Sequence, residues 1–239
     1  MQQADETLAG SHVVVVGGSS GMGLALAARA ARAGARLTLM ARDPEKLARA
    51  AREVGGAAVR TCDLRQEATV VAACEGLGGV DHLVVTAGEY RAAAFAETGP
   101  QDWRTMLEER LIGPMLLVKR LAPATSVVLV SGTVSRKILP GSTWGTIALS
   151  GVEAAVRALA IELAPVRVNG IVPGAVDTPL LARGRTETAR EDLKAAIAAR
   201  LPVRRVGVPE DIAQTGMFLM TNPFITGETI LVDGGAVLV

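Results

Sequence analysis

The sequence has few of the residues that metal sites, disulfide frameworks and membrane anchors require. Only two cysteines and two histidines occur among 239 residues. Cys62 and Cys74 lack metal-ligand spacing, so we expect buried free thiols and no metal site. The N-terminus lacks the basic and apolar regions of a secretory signal, and no apolar run reaches the roughly 18 residues of a membrane helix. These absences predict a soluble, cytoplasmic protein.

The chain also lacks an excess of charge of either sign. Its 25 basic and 24 acidic side chains give a formal net charge of +1. Because nucleic acids and anionic membranes attract strongly basic surfaces, this balance argues against both as partners. We expect the partner to be a small-molecule substrate.

One stretch lacks every side chain that could carry a proton near neutral pH. Residues 138–152 read ILPGSTWGTIALSGV, without Asp, Glu, His, Lys, Arg, Cys or Tyr. The whole chain has a single tyrosine, Tyr90. The importance of this stretch depends on the fold that the rest of the chain predicts.

Apolar, β-branched runs alternate with segments of helical period along the chain. The expected strands are 12–17, 36–41, 57–62, 81–88, 126–132, 166–174 and 228–235. The expected helices are 22–33, 44–53, 66–76, 101–120, 145–164 and 209–220. Strands that are apolar almost throughout are typical of parallel sheets buried on both faces. We predict a doubly wound, Rossmann-type α/β sheet of about seven strands, with helices on both faces in three αβα layers.

The length and composition predict one domain over residues 1–239. A hydrophobic fraction of 49% is ample for one large core. The polar segment 175–208 comes late in the chain, and we expect it to cover a substrate site.

A glycine-rich turn follows the first expected strand. In GGSSGMG, Gly17 permits a tight turn, Gly21 lets backbone N–H groups approach a pyrophosphate, and Gly23 lets the helix pack on the sheet. Ser19, Ser20 and Met22 complete the turn. Glycines also mark ordinary turns, but the strand–turn–helix context favours a dinucleotide site.

The glycine spacing resembles that of the short-chain dehydrogenase/reductase family in its compact form. So do four later motifs, in the same order: CDL at 62–64, VTAG at 85–88, PGAVDTP at 173–179 and VDGG at 232–235. The resemblance implies an adenine contact by Asp63 and Leu64, and a cofactor wall at Ala87 and Gly88. The loop that binds the nicotinamide half would contain Pro173, Gly174, Val176 and Thr178. The family also implies a homodimer or homotetramer that pairs the helices around 101–120 and 145–164.

The end of the second strand predicts the choice of cofactor. Ala41 and Arg42 stand where a carboxylate would select NAD by binding the ribose 2′-hydroxyl. A guanidinium would instead bind the 2′-phosphate, so NADP(H) is favoured. NAD(H) stays possible, since Arg42 could be a solvated turn residue and Asp43 could turn inward.

The resemblance implies a catalytic Tyr and Lys that this chain lacks. When the chain is aligned with the family's pattern by counting backward from residues 160–163, Gly145 falls at the tyrosine position and Leu149 at the lysine position. Gly132 falls at the serine position and Arg110 at the asparagine position. Because residues 138–152 contain neither Tyr nor Lys, no small shift of the alignment restores the pair. We therefore expect a non-standard active site.

Three residues are candidates for the missing chemistry. Arg110 could stabilise an enolate or bind a carboxylate, or it could be paired with neighbouring glutamates. Ser131 could hydrogen-bond a substrate oxygen, or simply supply a small residue at a turn. Lys137, with Arg136, could reach the pocket mouth or lie in a solvated loop. Tyr90 lies in a suitable loop for a proton donor but could be structural.

Two functions remain open at this point. The first is an NADP(H)-dependent oxidoreductase that reduces an activated substrate, such as a conjugated enone, a quinone-like ring or an imine, or else an anionic small molecule. The second is a protein that binds the cofactor without turning it over, as an inactive partner or a sensor, or a non-redox catalyst on the same scaffold.

Overall fold

The computed structural model describes residues 7–90 and 92–239, which form one parallel sheet with helices around it. The strands are β1 His12–Val16, β2 Arg36–Ala41, β3 Ala58–Thr61, β4 His82–Val85, β5 Ser126–Val130, β6 Arg167–Pro173 and β7 Thr229–Val232. The helices are α1 Gly21–Arg32, α2 Pro44–Glu53, α3 Glu67–Cys74, α4 Pro100–Leu107, α5 Gly113–Leu121, α6 Thr143–Glu162, α7 Pro179–Ala182, α8 Glu187–Arg200 and α9 Pro209–Thr221.

The strand order is β3-β2-β1-β4-β5-β6-β7, with every neighbouring pair parallel. The order reverses direction at β1, whose neighbours are β2 and β4. In open sheets of this kind, ligands bind outside the carboxyl ends of the strands at such a reversal. The predicted Rossmann-type α/β fold is confirmed.

The sheet has a separate apolar layer on each face because side chains alternate along a strand. Val13 and Val15 of β1 join a cluster with residues of α1, α2 and α9. Val14 and Val16 join a second cluster with residues of α3, α5 and α6. Both faces of β1 are therefore buried, as its unbroken valine run predicts.

The expected helix over 101–120 is interrupted at its centre. A π turn, Glu108–Ile112, separates α4 from α5, and the N–H of Gly113 bonds to the carbonyl of Glu108. Pro114 has no N–H to donate to the carbonyl of Arg110, so regular α-helical bonding cannot continue through this point. π turns are frequent at functional sites because they redirect side chains. Here the turn carries Arg110.

One helix bears on the expectation that no apolar run reaches the length of a membrane span. The helix Thr143–Glu162 is long and apolar enough to cross a membrane by length and composition alone. It packs against β6 and β5, and its Val152 and Val156 belong to an apolar cluster of the core. Core helices commonly meet the same criterion, so this is weak evidence for a membrane span.

Both helices that the resemblance assigns to self-association expose large apolar side chains. Ile112 is 57% exposed beside α5, and Ile161 of α6 is 81% exposed. Exposed apolar groups of this kind suit a contact between chains. The homodimer or homotetramer stays a prediction.

Candidate functional site

A cleft of about 250 Å³ lies at the carboxyl ends of β1, β2 and β4. Most of the residues assigned to the cofactor from the sequence line this cleft: Gly17, Ser19, Ser20, Gly21, Met22, Gly23, Arg42, Leu64, Ala87, Gly88 and Thr178. Part of segment 175–208 closes one side, through Pro179, Leu180 and Arg183. The segment contains the short helix α7 and the longer α8, and that it covers a substrate site stays a prediction.

The floor of the cleft depends on glycines that allow three backbone segments to approach closely. A Cβ added to Gly17 would lie 2.6 Å from Thr86 Oγ1 and 2.7 Å from the backbone nitrogen of Ala87. Gly17 also has φ +86°, which L side chains rarely adopt. The Thr86 hydroxyl donates to the carbonyl of Val16 at 3.0 Å and ties β4 to β1. The glycine turn thus packs directly against the end of β4 on one side, and its other side faces the cleft.

The first turn of α1 is suited to an anion. Ser20 precedes the helix, yet its side chain accepts no hydrogen bond from the helix, and the first turn contains no acidic residue. The N–H groups of a first turn have no partner within the helix, and the helix dipole is positive at this end. Because the turn lines the cleft, these groups fit the pyrophosphate of a dinucleotide.

Two cations stand at the adenosine end of the cleft. Arg42 and Lys46 both line it. Asp43, which could have turned inward to bind a ribose, instead caps α2 by accepting from the backbone nitrogens of Glu45 and Lys46, each at 3.0 Å. These hydrogen bonds, that of Lys46 first, lower the pKa of the Asp43 carboxyl. Asp43 nevertheless lines the cleft beside Arg42 and Lys46, so the choice between NADP(H) and NAD(H) stays a prediction.

Glu89 bridges two sides of the cleft. It accepts from Arg42 Nη2 at 2.6 Å and from Arg183 Nη1 at 2.5 Å. These contacts join the end of β2, the loop after β4 and the segment after α7. Sequence reasoning missed Glu89, Arg183 and Lys46, because no local pattern shows which charged loop residues meet across a cleft.

Asp63, for which the resemblance implies an adenine contact, is paired with a neighbouring arginine. Both of its carboxylate oxygens accept from the guanidinium of Arg65, at 2.9 and 2.6 Å. The hydrogen bond from Arg65 is the largest cause lowering the pKa of Asp63. Its neighbours Cys62 and Leu64, rather than Asp63, are among the residues that line the cleft.

A second cavity of about 370 Å³ adjoins the cleft. Five residues line both spaces: Met22, Thr86, Gly88, Thr178 and Leu180. Pro173, Gly174 and Val176, assigned to the nicotinamide half of the cofactor, lie in this second cavity. The two spaces together therefore have the arrangement that an extended dinucleotide and a small substrate require. We call the second space the inner pocket.

Arg110 is a buried charged group that lines the inner pocket. It is only 8% exposed, and its Nε donates to the carbonyl of Glu89 at 3.2 Å. Burial lowers the pKa of Arg110 to about 10, while Glu109 and Glu89 raise it. The guanidinium therefore keeps its charge near neutral pH. A buried charge aimed at a cavity can stabilise negative charge that develops there.

Ser131 also lines the inner pocket and is 3% exposed. Its hydroxyl donates to the carbonyl of Leu149 at 3.0 Å. With the proton directed at the helix, the oxygen is left as an acceptor. Ser131 can thus orient a substrate N–H or O–H in this arrangement.

Lys137 lies away from the inner pocket. Its Nζ donates to the carbonyl of Ala236 at 3.1 Å, and Lys137 is not among the residues that line the pocket. Arg136 binds Glu153 through Nε at 2.7 Å and Thr229 through Nη2 at 2.6 Å. Both cations are held on the side of β7 and the C-terminus, so the structure does not bring them to the pocket mouth.

The inner pocket has further cationic and aromatic groups. Arg185, from segment 175–208, lines it together with Tyr90, and no acidic side chain occurs among its described lining residues. Leu149 contributes an apolar wall. This composition favours an anionic or electron-rich ligand with an apolar part.

Together the strand reversal, the glycine turn and the helix terminus define a dinucleotide-binding α/β protein. Comparison with known proteins narrows this class. Residues 16–237 match the family model described as "Enoyl-(Acyl carrier protein) reductase". The chain is 32% identical to "3-oxoacyl-[acyl-carrier-protein] reductase" of Bos taurus, over 92% of this chain and 95% of that protein.

Solved structures similar to this chain are also dehydrogenases of the short-chain type. One, titled "short chain dehydrogenase/reductase family protein", is 32% identical, with a TM-score of 0.87 over 97% of this chain and 99% of that one. Another, a small-chain dehydrogenase in complex with NADPH, is 30% identical, with a TM-score of 0.81 over 96% and 99%. The chain belongs to the short-chain dehydrogenase/reductase family of oxidoreductases.

Proposed function

We propose that this protein is an NADP(H)-dependent reductase with a non-standard active site that acts on a small, activated or anionic substrate. The observation that carries the proposal is the buried Arg110 that lines a pocket continuous with the cofactor cleft. When bound, the cofactor supplies a hydride. Arg110 then provides the positive charge that the acceptor needs, in place of the Tyr and Lys that Gly145 and Leu149 replace.

The type of substrate follows from the absence of that pair. A positioned general acid contributes about 10²–10⁴ in rate, and the loss of the usual Tyr and Lys pair favours an acceptor that is already electrophilic. Conjugated enones, quinone-like rings and imines meet this condition. Arg110 and Arg185 at the pocket also favour acceptors that carry a carboxylate.

The test is direct. The purified protein should bind NADPH, detected by the change in NADPH fluorescence, and then oxidise it in the presence of at least one of a panel of enones, quinones, imines and keto acids. Tight binding without consumption on any class would instead support the cofactor-binding partner or sensor. Absence of NADPH binding would refute the cofactor assignment.

The cofactor preference gives a separate prediction. Arg42→Ala should weaken NADPH binding by about tenfold or more and leave NADH binding nearly unchanged, because only NADPH has the 2′-phosphate that a guanidinium binds. Binding titrations with both cofactors measure the change. Arg52→Ala, on the last turn of α2 and outside the cleft, is the matched control. Equal losses for NADPH and NADH in the Arg42 variant would contradict the assignment.

A further inference from the structure

The tyrosine missing from residues 138–152 has a counterpart in another loop. A Cβ added to Gly145 would lie 2.4 Å from Cε2 and 2.8 Å from Cδ2 of Tyr90. The edge of the Tyr90 ring therefore fills the space in which a side chain at position 145 would begin. The chain's single tyrosine thus lies beside the position that the family gives to its proton donor, but it comes from the loop after β4.

The structure also shows how Tyr90 is held there. Gly88 has φ +132°, and a Cβ on it would lie 2.6 Å from Cδ and 2.7 Å from Nε of Arg110. Only glycine allows the loop to pass so close to Arg110 in this conformation. Arg110 Nε then donates to the carbonyl of Glu89, the residue before Tyr90. Gly88, Arg110 and Gly145 together set the position of the ring.

Tyr90 lines the inner pocket with Arg110, Ser131, Pro173 and Gly174. The last two belong to the loop assigned to the nicotinamide half of the cofactor. The ring therefore lines the pocket that the proposed function assigns to the substrate.

We propose that the hydroxyl of Tyr90 is the proton donor of this enzyme, placed in the pocket by the absence of a side chain at Gly145. The inference rests on the proposed reductase function. The bound cofactor would supply a hydride to the acceptor carbon of an activated C=O, C=N or conjugated C=C bond. The electron pair of that bond moves to the heteroatom or α-carbon, which takes the proton from the Tyr90 hydroxyl. NADPH becomes NADP⁺, the substrate gains two electrons and two hydrogens, and water returns a proton to the phenolate.

The surrounding charges suit this role. Burial raises the pKa of Tyr90, so the phenol keeps its proton until the reaction requires it. Arg110 and Arg185 are the charged side chains that line the pocket with it, and Glu89 adjoins it in the chain. The Arg110 guanidinium, which lines the same pocket, stabilises the negative charge that develops on the acceptor.

The single tyrosine makes a clean experiment possible. Protein labelled with 3-fluorotyrosine gives one ¹⁹F resonance, and fluorination lowers the phenol pKa into a range where NADP⁺ is stable. The positive nicotinamide ring of NADP⁺ should lower the titration midpoint of Tyr90 by about half a unit or more relative to the NADPH-bound protein. Identical midpoints in the two bound states would overturn the proposal.

Variants give a second readout. Tyr90→Phe should bind NADPH as the wild type does but consume it about 100-fold more slowly. Gly145→Ala should cause a similar loss, because the new methyl group pushes the ring edge aside, while alanine is the better residue for the helix. Ser150→Ala, at an exposed position of α6, is the matched control and should keep full activity. Full activity of Tyr90→Phe would also overturn the proposal.

The outcomes separate the two proposals. The protein could bind and consume NADPH while the Tyr90 titration midpoint is the same in both bound states, or while Tyr90→Phe keeps full activity. Either result would refute Tyr90 as the proton donor and leave the reductase function standing. Failure of NADPH to bind would refute the reductase function, and Tyr90 with it.

Discussion

Arg110→Met is expected to reduce NADPH-dependent turnover by about 10²–10³, the usual cost of removing one group that stabilises developing charge. Methionine fills much of the same volume and has no charge, so the pocket loses its guanidinium without gaining a cavity. The binding of anionic inhibitors to the inner pocket should weaken in parallel. Steady-state rates and inhibitor titrations on the reducible substrate measure both effects.

The free energy of unfolding of Arg110→Met distinguishes a loss of catalysis from damage to the fold. Arg110 is 8% exposed, and burial is the largest cause that lowers its pKa. Its charge therefore opposes folding. Replacing a buried charge with an apolar side chain of similar volume is often neutral or stabilising. The free energy of unfolding of Arg110→Met should thus equal or exceed that of the wild type, although the hydrogen bond to the Glu89 carbonyl is lost.

A matched control lies on the same continuous helical segment. Arg104 of α4 is exposed, so Arg104→Met removes the same charge without touching the pocket. Its turnover should stay near that of the wild type. If Arg110→Met keeps full turnover and anion binding, Arg110 has only a structural role.

Gly23→Ala is expected to weaken NADPH binding by about 100-fold or more. The added Cβ would lie 2.4 Å from the carbonyl oxygen of Gly17 and 2.5 Å from Thr86 Oγ1. One of these contacts is with backbone, which cannot turn aside as a flexible side chain can. Relief of the overlap must shift the glycine turn or α1, and with it the N–H groups that face the pyrophosphate.

The same variant should lose about 1–3 kcal/mol of stability, the typical cost of overpacking a closely fitted position. Chemical denaturation measures this loss, and NADPH titration measures the affinity. Gly78→Ala is the control, since a Cβ there meets nothing within 4 Å. Unchanged NADPH affinity in Gly23→Ala would show that the turn does not bind the cofactor.

The features that could be predicted from the sequence are those that depend only on residues close together in the chain. The valine run of β1 and the glycine turn after it each act over a few residues, so strand, turn and helix N-terminus follow from their order along the chain. Both faces of β1 are buried, as the run predicts. The absence of Tyr and Lys from 138–152 is likewise a property of the sequence itself.

The sequence did not indicate the orientation or the partners of three side chains, those of Arg110, Asp63 and Lys137. The π turn before Pro114 is what directs Arg110 inward, and the helical period alone left its orientation open. Asp63 follows its strand as the resemblance implied, yet Arg65, two residues later, binds both of its oxygens. Lys137 follows β5 closely, but its Nζ donates a hydrogen bond to the carbonyl of Ala236 in the C-terminal segment.

The sequence by itself therefore determined the α/β fold, the glycine turn that follows β1 and the absence of Tyr and Lys from residues 138–152. Only the tertiary structure decided that Glu89 joins Arg42 to Arg183 across the cofactor cleft, and that the ring of Tyr90 lies against Gly145. The physical reason is distance along the chain. Periodicity and turn chemistry act between near neighbours, whereas these contacts join segments separated by 47 to 94 residues in the case of Glu89. Contacts of that kind form only when the packing of helices on the sheet brings separate loops to the same edge.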